Sequence, residues 1–195
     1  MGNENKVKGR RVFMKPRLAV VMSMVFSAAV FRLLPHPPNL TPIAAMALFG
    51  GAYFTDKRLA FLVPLAALFL SDLLLGFDFG GETLVVYASF ALIVCMGLWL
   101  RSRRQLLPIA SATLASAVQF FITTNFGVWA FGSLYPKSTE GILACYVAAI
   151  PFFRNTLLGD GLYVALLFGG FALAERYVPL PARAGAGQSL GGLER

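Results

Sequence analysis

Six stretches with almost no charged residues recur along the chain, at residues 18–34, 40–54, 59–75, 83–100, 106–131 and 157–174. A membrane helix needs about 20 mostly apolar residues, and fewer when neighbouring helices shelter it. A surface helix of a soluble domain needs only one apolar stripe, so segments apolar on every side have no place in such a domain. Composition agrees: 57% of the 195 residues are hydrophobic and 13% are charged, where soluble domains carry about 25% charge. The same figures, with 18 Phe, exclude a chain too polar to collapse. The expected fold is all-α, a polytopic membrane helix bundle with six transmembrane spans. A seventh apolar stretch, 142–153, is short and contains Pro151, and it is expected as a re-entrant or surface helix. The second span is also short, with Gly50 and Gly51 near its end, and should lie against other helices instead of lipid.

The formal net charge of +8 is explained by topology. With the N-terminus inside, all of the 17 Lys and Arg except Arg32, Lys137 and Arg154 fall on the cytoplasmic side, as basic residues in short loops do. Asp78, Glu82 and Glu140 fall in outer loops. Nucleic acid is therefore not an expected partner; the bilayer is. The organisation expected is a basic cytoplasmic N-terminus over 1–16, a membrane domain over 17–176 and a flexible cytoplasmic tail over 177–195, in an inner, cytoplasmic membrane with both termini inside. A cleaved leader ending near Ser27-Ala28-Ala29 would upset this alternation. Cys95 and Cys145 have no second ligand at metal spacing and read as small buried hydrophobes.

Ionisable and amide side chains inside spans cost free energy unless they have a partner, a cavity or a task. Here they gather at one level, the outer halves of the spans. Arg32 ends the first span, Asn39 follows in Pro35-His36-Pro37-Pro38-Asn39, and Asp72 lies in the third. Asn125 and Trp129 lie in the fifth, and Arg154, Asn155 and Asp160 open the last. These eight residues are the candidate lining of a pocket open to the outside, with aromatic walls from Trp129, Tyr135, Tyr146, Phe152 and Phe153. Such a lining suits a small polar or zwitterionic molecule. The alternative is that Arg32 with Asp72, and Arg154 with Asp160, are neutralising pairs that fasten helices. Asn39, Thr41 and Pro42 open the second span, whose N-terminus can donate toward an anion. Ala19, Ser23 and Ser27 form a small-residue face on the first span, as Gly161, Ala165 and Gly169 do on the last, either for internal packing or for docking to another membrane subunit.

The chain has no GxxxxGK[ST], HExxH or GxSxG motif and one His, His36. No enzyme chemistry, cofactor or metal is expected; binding and reorientation are. Energy for uphill movement would come from an ion or a partner.

Arg32-x-x-Pro35-His36-Pro37-Pro38-Asn39-x-x-Pro42 is followed by Ala47-Leu48-Phe49-Gly50-Gly51-Ala52-Tyr53-Phe54 and Leu70-Ser71-Asp72. Further on come Thr124-Asn125-Phe126-Gly127-Val128-Trp129 and Pro151-Phe152-Phe153-x-Asn155-Thr156-Leu157-x-Gly159-Asp160. Together these resemble an uncharacterised bacterial family of small integral membrane proteins described as transport proteins, over about residues 16–175. In size and span count the chain is also similar to the substrate-binding S components of energy-coupling-factor transporters. That similarity implies an outer pocket for a vitamin-like solute, and a transmembrane coupling subunit with ATPases as partners, docked through Ala19, Ser23 and Ser27. Ser23 and Ser27 stand where those proteins favour Ala. His36 is unlike an N-terminal His-rich metal site, which favours an organic ligand. The alternative function is a non-transporting structural subunit of a membrane complex.

Overall fold

The computed structural model describes residues 16–76 and 79–177. The basic segment 1–15, Asp78 and the tail 178–195 lie outside the described residues, and so do the expectations that fall on them. The described residues form an all-helical bundle. Its elements are α1 (Pro16–Phe31), α2 (Ile43–Tyr53), α3 (Lys57–Leu75), α4 (Gly81–Trp99, extended by the 3-10 turn Leu100–Ser102), α5 (Leu106–Phe131) and α6 (Thr139–Val164). The π-helical turn Ala165–Gly169 then joins α6 to α7 (Gly170–Tyr177). Four helical segments are long and apolar enough to cross a membrane: α3, α4 with its 3-10 turn, α5, and the rod from Thr139 to Tyr177; α1 and α2 are apolar but shorter.

The shortest of these, α2, is the centre of the bundle. All 11 of its residues are buried, as its length and glycines lead one to expect. Gly51 and Gly97 bring α2 and α4 into backbone contact: a Cβ on Gly51 would stand 2.5 Å from the Val94 carbonyl oxygen and 2.7 Å from the Gly97 Cα. A helix end buried this way leaves carbonyls without partners, and two arginines from beyond α4 supply them. Arg101 donates from Nε to the Gly51 carbonyl at 3.0 Å, and Arg104 donates from Nη2 to the Ala52 carbonyl at 3.0 Å. Arg104 also lies over the Tyr53 ring at 4.5 Å. Their positive charge complements the negative end of the α2 dipole. Phe168 and Phe171 close this end against Phe49 and Tyr53, with ring centroids 4.4 to 5.6 Å apart, and Arg17 pairs with Glu175 at 2.9 Å.

The C-terminal part differs from the sequence expectation. Residues 142–153 are not a separate re-entrant or surface helix; they are the first half of a rod that is helical from Thr139 to Tyr177, 39 residues or about 58 Å at 1.5 Å per residue. That is nearly twice the hydrocarbon thickness of about 30 Å, so this rod cannot cross upright within the apolar layer. Pro151 sits inside α6 without ending it, since packed membrane helices tolerate the missing N–H that would break a helix in water. The π turn adds a residue to one helical turn and re-aims Phe168 and Phe171 toward α2. Cys145 is buried as expected, but Cys95 is exposed on the outside of α4.

Candidate functional site

At the end of the bundle opposite Arg101 and Arg104, the helices diverge around a cavity of about 400 Å³. The break between α1 and α2 makes this possible. Eleven residues of α2 reach about 16 Å, about half an apolar layer, and the non-helical segment from Arg32 to Pro42 covers the rest. Asn39 in that segment has φ of 62°, a left-handed conformation that Asn adopts more readily than most residues. Irregular backbone of this kind persists in membrane proteins where it lines a cavity. The first turn of α2 then points its N–H groups toward that cavity, whose lining includes Asn39, Thr41, Ile43 and Ala44.

A hydrogen-bonded cluster forms one wall. Arg32 Nη1 lies 2.5 Å from Asp72 Oδ1 and donates to Ser71 Oγ at 2.6 Å, while Tyr87 Oη donates to Asp72 Oδ2 at 2.7 Å. Ser71 Oγ in turn donates to the Leu68 carbonyl at 2.7 Å. Both oxygens of Asp72 are thus engaged, and the exit of α1 is tied to α3 and α4. Of the two expected ion pairs, this one is present.

The other is not. Arg154 and Asp160 stand six positions apart, which on a continuous helix is about 9 Å of rise and about 120° of rotation. Side chains three or four apart meet; these do not. Arg154 is exposed on the outer face of α6. Asp160 is 3% exposed and lines the cavity beside Thr156, one helical turn away. Its Oδ2 accepts no hydrogen bond from any described residue. Gly159 packs on the Cα of Leu40 and the N of Thr41, where a Cβ would come within 3.1 and 3.3 Å, so Asp160 follows directly after the contact with the residues that lead into α2. The helix dipole there favours an anion by about 0.3–1 kcal/mol, or about 2 at best. Desolvating an ion costs several kcal/mol, so the carboxyl is left undercompensated.

Arg32, Asn39, Asp72 and Asp160 therefore meet in one cavity, and Asn125, Trp129, Arg154 and Asn155 do not line it. Asn125 donates from Nδ2 to the Phe121 carbonyl of its own helix at 2.7 Å. Trp129 Nε1 donates to the Pro136 carbonyl at 3.0 Å and its ring carries Lys137 at 5.8 Å, which shapes the α5–α6 turn. Asn155 Nδ2 donates to the Pro38 carbonyl at 3.0 Å, so it holds the α1–α2 segment in place from outside. The aromatic walls are Tyr87, Phe90 and Phe120, with the last two rings 5.2 Å apart, in place of the five aromatics expected. The sequence reading missed α4 as a wall: Glu82, Thr83, Val86, Tyr87 and Phe90 all line the cavity. Their spacing of one, four, five and eight residues from Glu82 is a one-faced helical pattern and was the available signal.

A helical membrane bundle with a charged, partly aromatic cavity at one end is the class of protein these features define. Residues 13–182 match the model of a family of unknown function, DUF6580, and the chain belongs to that family. No curated protein and no solved structure matches it.

Proposed function

We infer that this is a six-span transport protein of the inner membrane that captures a small polar solute, vitamin-like in size, in the cavity between the exit of α1 and helices α2, α3, α4, α5 and α6. The observation that carries the reading is the cavity itself: about 400 Å³ is within the range of small-molecule sites, and it holds polar groups that lipid would not tolerate. Its position supports capture from outside. Arg17, Lys57, Arg58, Arg101, Arg103, Arg104 and Arg176 lie near the helix ends opposite the cavity, and a basic end is the cytoplasmic one. The half-length α2, with its N-terminus at the cavity, is a device that transporters use to present backbone donors at membrane depth.

In this reading the protein acts like the S component of an energy-coupling-factor transporter, with a membrane coupling subunit and ATPases as partners. Ser23 and Ser27 on α1 are exposed and Ala19 is half-buried, so this face is free for such a subunit. Gly161, Ala165 and Gly169 are exposed as well, which favours the second reading, a structural subunit that uses both faces to hold a complex together.

Native mass spectrometry of the gently purified protein separates the two. A bound solute that is lost in Asp72→Asn supports capture, and co-purifying ATPase subunits identify the energy source. A protein that stays bare, in complex with other membrane subunits, supports the structural reading. Labelling of an Asn39→Cys variant by a membrane-impermeant maleimide in intact cells tests the orientation; labelling only after lysis overturns it.

A further inference from the structure

The charges that line the cavity do not balance. Among the described residues its lining has one guanidinium, Arg32, against the carboxylates Asp72, Glu82 and Asp160, with no Lys or His. Arg32 is committed to Asp72 at 2.5 Å. Glu82 is exposed, at a place where water screens it. Asp160 has neither remedy, being 3% exposed, with an oxygen that no described donor reaches and no described cation within ion-pair distance. A buried carboxylate keeps its charge when it is paired, and since no described residue pairs with Asp160, its charged form needs a cation from outside the described residues.

The remaining lining favours a positive group. Thr41 and Thr156 offer hydroxyl oxygens in the same lining as Asp160, and Phe90 and Phe120 offer aromatic rings there. Acceptor oxygens, a carboxylate and π-faces together are what an ammonium group selects. An anionic solute would find the N–H groups of the first turn of α2, but it would also meet three carboxylates, and the one guanidinium is already neutralised.

We propose that the solute is a small organic cation whose ammonium group is seated at Asp160, with its apolar part against Phe90 and Phe120. This rests on the reading of the cavity as a solute site, and it narrows that reading from polar molecules in general to positively charged ones. It also gives α6 a role in recognition: Gly159 lets the helix approach Leu40 and Thr41 closely, which brings the following carboxylate to the cavity.

The test is calorimetric titration of the full chain in nanodiscs at low ionic strength. The probes are methylammonium, choline and phenethylammonium chlorides, then 2-phenylethanol as the uncharged counterpart, phenylacetate as the anion, and sodium chloride. An ammonium probe is expected to bind at least tenfold more tightly than 2-phenylethanol. Asp160→Asn should weaken it by about 10- to 100-fold, as loss of a charge-assisted contact does. Asp160→Glu, which keeps the charge, should retain part of the affinity, and Glu140→Gln, at an exposed carboxylate outside the cavity, should change it less than about threefold. Thermal unfolding of Asp160→Asn should be no lower than that of the parent, since no internal partner is lost. If Asp160→Asn does not fold, the contrast between Asp160→Glu and 2-phenylethanol still decides the matter.

The proposal is overturned if phenylacetate or 2-phenylethanol binds as well as the ammonium probes, or if Asp160→Asn leaves ammonium binding unchanged; the cavity would then remain a solute site of other chemistry. Sodium chloride that titrates alone with the same Asp160 dependence makes it an inorganic-cation site, which also overturns it. Failure of every probe overturns the proposal, and a bare native mass spectrum alongside overturns the solute site with it.

Discussion

Asp72→Asn removes one charge from the Arg32–Asp72 pair and leaves the shape of the site almost unchanged, so its effect measures how much the pair fastens the bundle. In the parent, Asp72 Oδ1 faces Arg32 at 2.5 Å and both side chains are 16% exposed. Breaking a buried pair costs about 3–5 kcal/mol, because the surviving charge has no partner. The guanidinium here keeps its bond to Ser71 Oγ at 2.6 Å and borders the cavity, so a loss of about 2–3 kcal/mol is expected, within the range for hydrogen bonds to charged groups. Tyr87→Phe removes the bond at 2.7 Å to Asp72 Oδ2 and should cost about 1.5 kcal/mol. The double substitution Arg32→Met with Asp72→Leu removes both charges, and it should be less destabilising than Asp72→Asn alone. The assay is reversible unfolding in bicelles, read as a double-mutant cycle with Arg32→Met and Asp72→Leu as the single variants. A coupling energy below about 0.5 kcal/mol would refute the fastening role. A double variant that folds but has lost its solute assigns the pair to recognition as well.

The glycines offer a test in which sign and not size decides. Gly51→Ala places a methyl 2.5 Å from the Val94 carbonyl oxygen and 2.7 Å from the Gly97 Cα, both backbone, and should destabilise by about 1–3 kcal/mol despite a helix-propensity gain of about 1; Gly161→Ala meets nothing within 4 Å and should be neutral or stabilising by up to about 1 kcal/mol in the same unfolding assay. At the other end, Arg101→Ala together with Arg104→Ala leaves the Gly51 and Ala52 carbonyls without the donors now at 3.0 Å and should cost about 2–4 kcal/mol. Lysine at both positions should recover only part, because an ammonium cannot reproduce the guanidinium fork. Full rescue by lysine in thermal unfolding would mean that charge at the α2 end matters and geometry does not.

How much of this was legible in the sequence depends on which coordinate is asked for. Position along the chain sets a residue's depth, and depth was read well: α5 runs over Leu106–Phe131 as its apolar stretch does, α2 is buried throughout, and Arg32, Asn39, Asp72 and Asp160 do meet at one level. Rotation about the helix axis is the harder coordinate, because a span apolar on every side has no stripe to mark its inner face. Asn125 shares the expected end of the bundle, yet it turns back to bond its own helix at Phe121, and Tyr87, whose hydroxyl completes the Arg32–Asp72 cluster, was hidden among the aromatics of an apolar span.

The reading of α6 went astray for a related reason, and the error bears on function. Taking Pro151 as the end of a short helix put Arg154 and Asn155 in a break before the last span, where Arg154 could pair with Asp160. A continuous helix fixes their directions: Asn155 reaches Pro38, Arg154 is left on the outer surface, and Asp160 lines the cavity without a cation. The same rule accounts for Thr156, which stands four residues before Asp160 and so joins it on the cavity face. The four charged residues expected there, two cations and two carboxylates, are therefore one closed pair, one cation on the outer surface and one open carboxylate beside the exposed Glu82, and the proposed preference for a positive solute rests on that imbalance.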